Sequence, residues 1–334
     1  KIFEAAKQSF MQNSVDIFMD CPTRERAGWL CDSFFTARSE RFFTGKNDIE
    51  YNFLENFLLA ERYPNVPDGM LPMCYPSDHY DGNYIPNWAM WFVLELEDRE
   101  KRTGDKAFTA PYKEKVYRLL NFFKNYENKD GLLEKLEAWV FLEWSKANEL
   151  TQDINFPSNM LYAKTLLAAA HLFDDAALEA KANALFDVIR ARSFDGSFFR
   201  DNEVYTIDGI PVSSGERTET CQYYAFFTGT ATPETHPDLW QTLITDFGPK
   251  RAEKGLYPEI YPANAFIGNY LRLMLLDENG LYEKLIEEAK DYFLYMAERT
   301  GTLWENTGDY ASCNHGFASY AAPMLVRAEE NLKK

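Results

Sequence analysis

Helical periodicity repeats along almost the whole chain, and it constrains the fold more than any other feature. Apolar residues recur every three to four positions in eleven or twelve segments, joined by alternately short and long connections. In one segment, Leu285, Ala289, Tyr292 and Met296 form a single apolar stripe. The predicted helices are 2–12, 31–43, 48–63, 87–103, 112–126, 156–172, 176–192, 218–227, 237–246, 263–276, 281–299 and 315–331. This pattern predicts an all-α fold.

Helices that pair with their neighbours along the chain can close into a ring of hairpins. No fixed sequence repeat and no shift in composition divides the 334 residues. We therefore predict one domain over 1–334, an (α/α)6 barrel (a six-hairpin toroid) with its long loops gathered at one end. The alternating segment 193–215, which contains Asp208-Gly209, predicts a small β-hairpin inserted into this barrel.

The charge of the chain argues against two classes of partner. The formal net charge is −17, and so acidic a protein repels phosphate backbones and anionic lipid. No apolar run is long enough to span a bilayer. We therefore expect neither nucleic acid nor a membrane as a partner. The first residues do not form a signal peptide, and the sequence predicts neither a compartment nor an oligomeric state.

The cysteines and histidines predict neither a disulfide framework nor a metal site. The five cysteines have no paired spacing, so we expect free and mostly buried thiols. The four histidines are scattered, and we predict that His171, on an apolar helix, is packed in the core. Because nucleotide- and metal-binding motifs are also missing, we predict no cofactor. These residues are Cys21, Cys31, Cys74, Cys221, Cys313, His79, His171, His236 and His315.

One thirteen-residue segment has a composition that folding alone does not require. Residues 20–32 contain the acids Asp20, Glu25 and Asp32, two arginines and Trp29. This mixture suits a sugar site, because acids bind hydroxyls and transfer protons while an indole stacks on the apolar face of a sugar. A proline and a glycine predict a structured loop that runs into a helix near Trp29. In a helix, Glu25, Trp29 and Asp32 would instead share one face. A solvated, salt-bridged helix start is the alternative without a site.

A second segment, about 280 residues further along the chain, repeats this chemistry. Residues 301–316 place Glu305 beside Trp304 on a loop between helices and end near His315. An ordinary loop with a surface glutamate is the alternative. The long aromatic loop at 64–86 is also expected to carry function, since ordered loops of this length usually do. Smaller signals of the same kind are Trp88, Glu143 and Trp144.

The two segments resemble the two signatures of glycoside hydrolase family 78, the α-L-rhamnosidases. Residues 20–32 are similar to the acidic signature. Leu303-Trp304-Glu305, followed by 312–315, is similar to the second signature and occurs in the same order. The resemblance covers most of the catalytic (α/α)6 domain, although the middle of the chain is only loosely similar. The β-domains that flank this domain in the family are missing, so we expect the chain to be part of a longer multidomain enzyme.

The resemblance implies an inverting hydrolase that removes terminal α-L-rhamnose from glycosides or polysaccharides. It makes Glu25 the general acid and Glu305 the general base. Such a pair stands roughly 6.5–9.5 Å apart, so that a water molecule can enter. The other residues implied in substrate binding are Asp20, Arg24, Trp29, Asp32, Trp88, Glu143, Trp144 and His315.

The sequence leaves the proton donor and the reaction open. Arg24 and Arg26 flank Glu25, and nearby cations lower the pKa of a carboxyl group. Either Asp20 and Asp32 offset this effect, or Asp32 is the donor and Glu25 binds substrate. Another (α/α)6 exo-glycosidase, an unsaturated-uronide hydrolase or a non-catalytic carbohydrate-binding protein are the alternative functions. The scarcity of nearby basic residues argues against an acidic substrate, and the two glutamates argue against a binding protein.

Overall fold

Helices make up most of the chain, as the periodicity predicted. The computed structural model describes residues 1–77 and 81–334, so His79 lies outside the described residues. The helices are α1 (Ile2–Asn13), α2 (Asp32–Thr44), α3 (Asp48–Leu59), α4 (Pro86–Thr103), α5 (Lys106–Thr109), α6 (Lys113–Phe123), α7 (Phe156–Phe173), α8 (Ala176–Ser193), α9 (Glu219–Thr228), α10 (Pro237–Asp246), α11 (Gly268–Glu278), α12 (Tyr282–Thr300) and α13 (Ala321–Leu332).

Side chains next to the helix ends explain where several helices begin and end. The Asn155 side chain accepts a hydrogen bond from the Ser158 N–H (2.8 Å) and caps α7. Asp174 then adopts a left-handed conformation and ends that helix. Asp175 caps α8 by accepting bonds from two backbone N–H groups of its first turn. Two adjacent aspartates thus form the whole turn of this helical hairpin.

Two predicted helix starts are wrong because side chains hold the backbone in other conformations. The helix predicted from 263 begins at Gly268, since the N–H of Asn264 is bound by Glu143 (2.9 Å). The helix predicted from 315 begins as a 3₁₀ turn, Gly316–Tyr320, before α13. Both shifts occur at the N-terminal end of a helix, where the preceding loop belongs to the candidate site.

Six helices contact one another in an order that returns to the first. α2 packs against α4, α4 against α7, α7 against α9, α9 against α11, α11 against α13, and α13 against α2. Most residues of α4 and α7, and nearly all residues of α9 and α11, are buried. Other helices pack against this set: α3 against α2, α8 against α7, and α12 against α11 and α13. Much of the core therefore lies along α4, α7, α9 and α11.

Short strands occur between the helices, and the predicted β-hairpin is confirmed. β1 (Ile154–Asn155), β2 (Asn202–Tyr205) and β3 (Pro211–Ser213) form an antiparallel sheet in that order. β4 (Arg217–Thr218) pairs in parallel with β5 (Ile260–Tyr261).

The prediction for the cysteines is confirmed, and the prediction for His171 is wrong. Four cysteines are buried, Cys313 is partly exposed, and all five are free. His171 lies on an exposed side of α7, where its Nδ1 is 2.7 Å from Glu97 Oε1. His171 is therefore a surface residue of a mostly apolar helix. In the described part of the chain, every helix is too short or too polar to cross a bilayer.

A buried glutamate of α2 caps the next helix. Glu40 accepts hydrogen bonds from the N–H groups of Ile49 and Glu50, each at 2.9 Å. These groups belong to the first turn of α3, whose own N-cap residue, Asn47, supplies no side-chain bond. Glu40 thus satisfies two donors that would otherwise have no partner.

We predict that Glu40→Ala destabilises the protein by about 2 kcal/mol, because two N–H groups in the first turn of α3, one of them buried, lose a charged acceptor. Chemical unfolding at neutral pH measures the change. Lys46→Ala is the matched control on the same turn, since its ion pair with Asp48 is exposed and should change the stability by less than about 0.5 kcal/mol. Equal stability of the two variants would contradict the capping role.

Candidate active site

A cavity of about 530 Å³ lies where the two sequence motifs meet. It has the size of a small-molecule site and combines carboxylates with aromatic walls. The structure brings nine of the ten predicted site residues to its lining: Asp20, Arg24, Glu25, Trp29, Asp32, Trp88, Trp144, Glu305 and His315. Glu143, the tenth, lies outside the lining.

The first motif is a loop that pairs with a second loop before α2 begins. The Leu30 N–H donates to the Met73 carbonyl (3.0 Å), and the Tyr75 N–H donates to the Gly28 carbonyl (2.9 Å). A side chain at position 28 would collide with the Tyr75 carbonyl, at 2.5 Å, so glycine is required there. The predicted loop is therefore confirmed. The alternative, a helix in which Glu25, Trp29 and Asp32 share one face, is wrong, because the helix begins only at Asp32.

The second motif folds back on itself and then meets the first. The Glu305 N–H donates to the Ser312 carbonyl (2.9 Å), and the His315 N–H donates to the Leu303 carbonyl (3.0 Å). The Gly316 N–H donates to the Asp20 carbonyl (2.7 Å). This last bond joins the two motifs through their backbones.

Arg24 lies between the two glutamates. Its Nη2 is 3.4 Å from Glu25 Oε1 and 3.1 Å from Glu305 Oε2. Both distances are measured from the same atom. Their sum, about 6.5 Å, is therefore the largest possible separation of the two carboxylate oxygens. Two carboxylates from opposite ends of the sequence thus face each other across one guanidinium group.

Glu305 is buried and held from several sides. Its side chain is 7% exposed, whereas that of Glu25 is 28% exposed. The Trp144 indole N–H donates to Glu305 Oε1 (2.8 Å), and the Ser312 N–H donates to Oε2 (3.2 Å). Glu305 is therefore fixed deep in the cavity, while Glu25 lies nearer its mouth.

The environment of Glu25 favours its protonated form. Burial raises the pKa of Glu25, and the negative charge of Asp20 raises it further. Arg24 lowers the pKa, but this effect is smaller than the others together, so the pKa of Glu25 lies above its ordinary value. A carboxyl group with a raised pKa can act as an acid near neutral pH.

Asp32 and His315 form a buried pair beneath the two glutamates. His315 Nε2 is 2.8 Å from Asp32 Oδ1, and His315 Nδ1 is 3.6 Å from Glu305 Oε2. Burial raises the pKa of Asp32 to about 6, although the bond to His315 opposes this. Burial lowers the pKa of His315, but the hydrogen bond to Asp32 and the negative charges of Asp32 and Glu305 together raise it above its usual value. Asp32 Oδ1 is therefore occupied by the imidazole.

Glu143, predicted to bind substrate, is instead buried behind the cavity wall. It accepts hydrogen bonds from Ser145 Oγ (3.1 Å), the Asn264 N–H (2.9 Å) and the hydroxyl of Thr220. Trp144 is the adjacent residue but reaches the cavity. Residues 143 and 144 lie in a segment without helical or strand periodicity. The sequence therefore offered no means of predicting that one side chain faces the cavity and the other does not.

Asn264 connects the loops that carry Trp144 and Glu305. Its Nδ2 donates to the Trp144 carbonyl (2.5 Å) and to Asn306 Oδ1 (3.1 Å). Its Oδ1 accepts from the Thr307 N–H (3.0 Å). The buried Asn264 side chain thus links the two loops, and the Glu143 carboxylate binds the backbone N–H of Asn264.

Aromatic rings form a continuous wall of the cavity. The ring centroids of Phe141 lie 5.0 Å from Trp88 and 4.7 Å from Trp144, and Trp139 lies 5.8 Å from Trp144. The aromatic spacing at 139, 141 and 144 was a signal that sequence reasoning missed. Other lining residues not predicted are Met73, Asp81, Asn83, Ile85, Phe266, Asn306, Tyr310 and Ala311. The expectation that the 64–86 loop carries function now has candidates in Asp81 and Asn83.

In the ranges 1–77 and 81–334, no cluster of three or more His, Cys, Asp and Glu side chains is arranged to hold a metal ion.

Solved structures of similar fold include several glycosidases. A GH78 family rhamnosidase of Bacillus sp. GL1 matches with a TM-score of 0.80 and 20% identity, over 97% of this chain and 34% of its own. The rhamnosidase from Klebsiella oxytoca with rhamnose bound matches with 0.79 and 16%, over 98% and 63%. The GH63 mannosylglycerate hydrolase from Thermus thermophilus matches with 0.64 and 15%, over 99% and 100%. At these identities the likeness shows the fold.

The sequence itself matches a family model. No relative was found among curated proteins. The chain spans about a third of the Bacillus enzyme and less than two thirds of the Klebsiella enzyme. The model for the bacterial alpha-L-rhamnosidase six-hairpin glycosidase domain matches residues 1–197, more than half of the chain. The chain therefore belongs to the bacterial α-L-rhamnosidase six-hairpin glycosidase family.

Proposed function

We propose that the chain is the catalytic domain of an inverting glycoside hydrolase that releases terminal α-L-rhamnose. Glu25 is the general acid and Glu305 the general base. The observation that carries this proposal is the meeting of these two carboxylates at one cavity, each within 3.4 Å of Arg24 Nη2. An acid and a base suffice for this hydrolysis, so the proposal assigns no metal or organic cofactor.

The proposal includes the architecture: one (α/α)6 barrel over residues 1–334. Its support is the order of helix contacts, which runs through α2, α4, α7, α9, α11 and α13 and returns to α2. Helices packed against the outside of these six would complete the hairpins. In such a barrel the candidate site lies at the end where the two motif loops meet the 64–86 loop.

The environments of the two glutamates support the division of roles. Glu25 is nearer the mouth and has a raised pKa, which suits a proton donor to a departing oxygen. Glu305 is buried and oriented by the Trp144 indole, which suits a base that must hold one water in line with the sugar carbon. Asp32 is a poorer donor than Glu25, because its Oδ1 is bound to His315 and its side chain is 6% exposed.

The separation of the two glutamates has an upper bound but no lower bound from these contacts. Their nearest oxygens are at most about 6.5 Å apart, which only reaches the lower limit of the range of roughly 6.5–9.5 Å for inverting pairs, so the proposed inversion rests on the resemblance to family 78 and not on this distance. Arg24 occupies part of the space that the water and the sugar would need. We therefore expect its side chain, which is 49% exposed, to turn towards sugar hydroxyls when substrate binds.

The lining of the cavity favours an uncharged sugar. Trp88 and Trp144 offer faces for a sugar ring, and Asp20 and Asp32 offer acceptors for hydroxyls. Arg24 is the sole lysine or arginine among the described lining residues, and both catalytic carboxylates already pair with it. The cavity therefore suits a uronide substrate less well, because the carboxylate of a uronide would need an unpaired cation to bind.

We predict that the two glutamate variants differ in how they depend on the leaving group. Glu25→Gln should lose at least about a hundredfold in kcat/KM on an alkyl α-L-rhamnoside, but far less on the dinitrophenyl rhamnoside, whose leaving group needs no proton. Glu305→Gln should lose activity on both substrates. Glu283→Gln, an exposed glutamate on α12, is the control.

The same assay decides between the alternatives. NMR of the first-formed rhamnose anomer tests inversion. If Asp32→Asn, and not Glu25→Gln, shows the dependence on the leaving group, the acid is wrongly assigned. If the parent protein cleaves no rhamnoside but rhamnose still raises its melting temperature, the chain is a binding protein.

We predict that the two arginines flanking Glu25 have different effects on the pH profile. Arg24 lowers the pKa of Glu25, so Arg24→Gln should raise that pKa. Because the acid works in its protonated form, activity falls as pH rises through this pKa. The basic limb of the kcat/KM profile should therefore move to higher pH in Arg24→Gln. Arg26→Gln is the matched control and should leave the limb in place. A shift of equal size in both variants would contradict this assignment.

A further inference from the structure

A second depression begins at the mouth of the cavity and leads away from it. This groove, of about 670 Å³, shares three lining residues with the cavity: Arg24, Tyr310 and Ala311. One side is formed by 22–24, next to the candidate acid, and the other by 310–314, from the loop of the candidate base. The groove therefore runs between the two catalytic segments.

The exposure of the two glutamates indicates which part of a substrate would lie there. In a glycosidase the acid faces the leaving group, and the base lies on the opposite face of the sugar. Glu25 is the more exposed carboxylate and adjoins Arg24, a residue of both depressions. A rhamnosyl group held above Glu305 would thus direct its leaving group towards the groove.

The side chains of the groove are unusual for so acidic a protein. The chain carries a net charge of −17, yet among the groove's described lining residues Arg24 alone is charged, and it pairs with Glu25 and Glu305. The other lining residues include hydroxyl and amide side chains, such as Thr23, Thr302 and Asn314. Such a surface suits a hydroxylated, uncharged ligand.

One aromatic ring stands at the junction of the two depressions. Tyr310 is 73% exposed, although its hydroxyl is 3.2 Å from Asn306 Oδ1 and 3.4 Å from Asn264 Nδ2. The ring also lies directly over Gly308, where any side chain would overlap it. A large aromatic ring that is exposed but held at both its edge and its hydroxyl is preorganised for stacking, since little conformational entropy is lost when a ligand covers it.

We propose that this groove is the leaving-group subsite, that it binds an uncharged sugar, and that Tyr310 is its stacking platform. The proposal rests on the proposed glycosidase function, because it takes the direction of the substrate from Glu25. It adds the chemical class of the group to which rhamnose is attached. A pyranose fits better than a flat aromatic aglycone, because it presents an apolar face to Tyr310 and hydroxyls to the polar side chains.

The test compares three substrates: α-L-rhamnosyl fluoride, which fills only the cavity, a rhamnosyl-glucose disaccharide, and a naphthyl rhamnoside. Because Tyr310 also lines the cavity, the test is the difference between substrates: Tyr310→Ala should lower kcat/KM about tenfold more for the disaccharide than for the fluoride, chiefly through KM. Gly308→Ala, which displaces the ring without removing it, should have the same effect. Tyr310→Phe keeps the ring and should restore most of the activity.

Each result supports or overturns the proposal. Equal losses on the fluoride and the disaccharide would mean that Tyr310 supports the cavity and not a subsite. No loss on the disaccharide would remove its stacking role, and a larger loss on the naphthyl rhamnoside would assign the groove to an aromatic aglycone. If the parent protein hydrolyses none of the three, the proposed function fails and this subsite fails with it.

Discussion

The site depends on contact between the two ends of the sequence. The Gly316 N–H bonds the Asp20 carbonyl at 2.7 Å, and His315 bonds Asp32 beneath the cavity. A side chain at position 316 would come within 2.5 Å of the Met19 carbonyl, so this approach requires glycine. Contact between the two ends of the sequence is what brings two separate loops, each with one glutamate, to the same cavity.

A third segment sets the width of the cavity. Asn264 bonds both the loop of Trp144 and the loop of Glu305, and Glu143 holds the Asn264 backbone from behind. These groups are buried, so each would cost free energy if it lost its partner. The aromatic wall and the candidate base are therefore fixed relative to each other by a largely buried polar network. Such support keeps a reactive carboxylate in place when its ligand leaves.

Local sequence patterns were enough to predict the helices. Which loop residues reach the cavity depends on long-range contacts, and local patterns did not predict it. The stripe that includes Leu285 and Met296 reports a buried face directly, because helical periodicity is a property of neighbouring residues. The carboxylates were found because acids beside tryptophans have the chemistry that a sugar site needs. No such periodicity applies at 139–144, where Glu143 is buried and Trp144 reaches the cavity. Tyr310 carried no signal, since its position depends on Asn264, far away in the sequence.

The sequence places Glu25 between two arginines, which would be expected to lower its pKa. The positions of Arg24 and Arg26 in the structure explain why the pKa of Glu25 is nevertheless raised. Adjacent positions suggest that Arg24 and Arg26 act equally on Glu25, but the backbone adopts a left-handed conformation at Arg26 (φ +53°), whose side chain is exposed to solvent. Water screens such a charge strongly. Arg24 also pairs with Glu305, and the negative charge of Glu305 itself raises the pKa of Glu25 and so opposes the effect of Arg24. Burial and Asp20 then prevail, and the pKa of Glu25 rises. A cation next to an acid in the sequence is therefore compatible with acid catalysis when a second carboxylate competes for it.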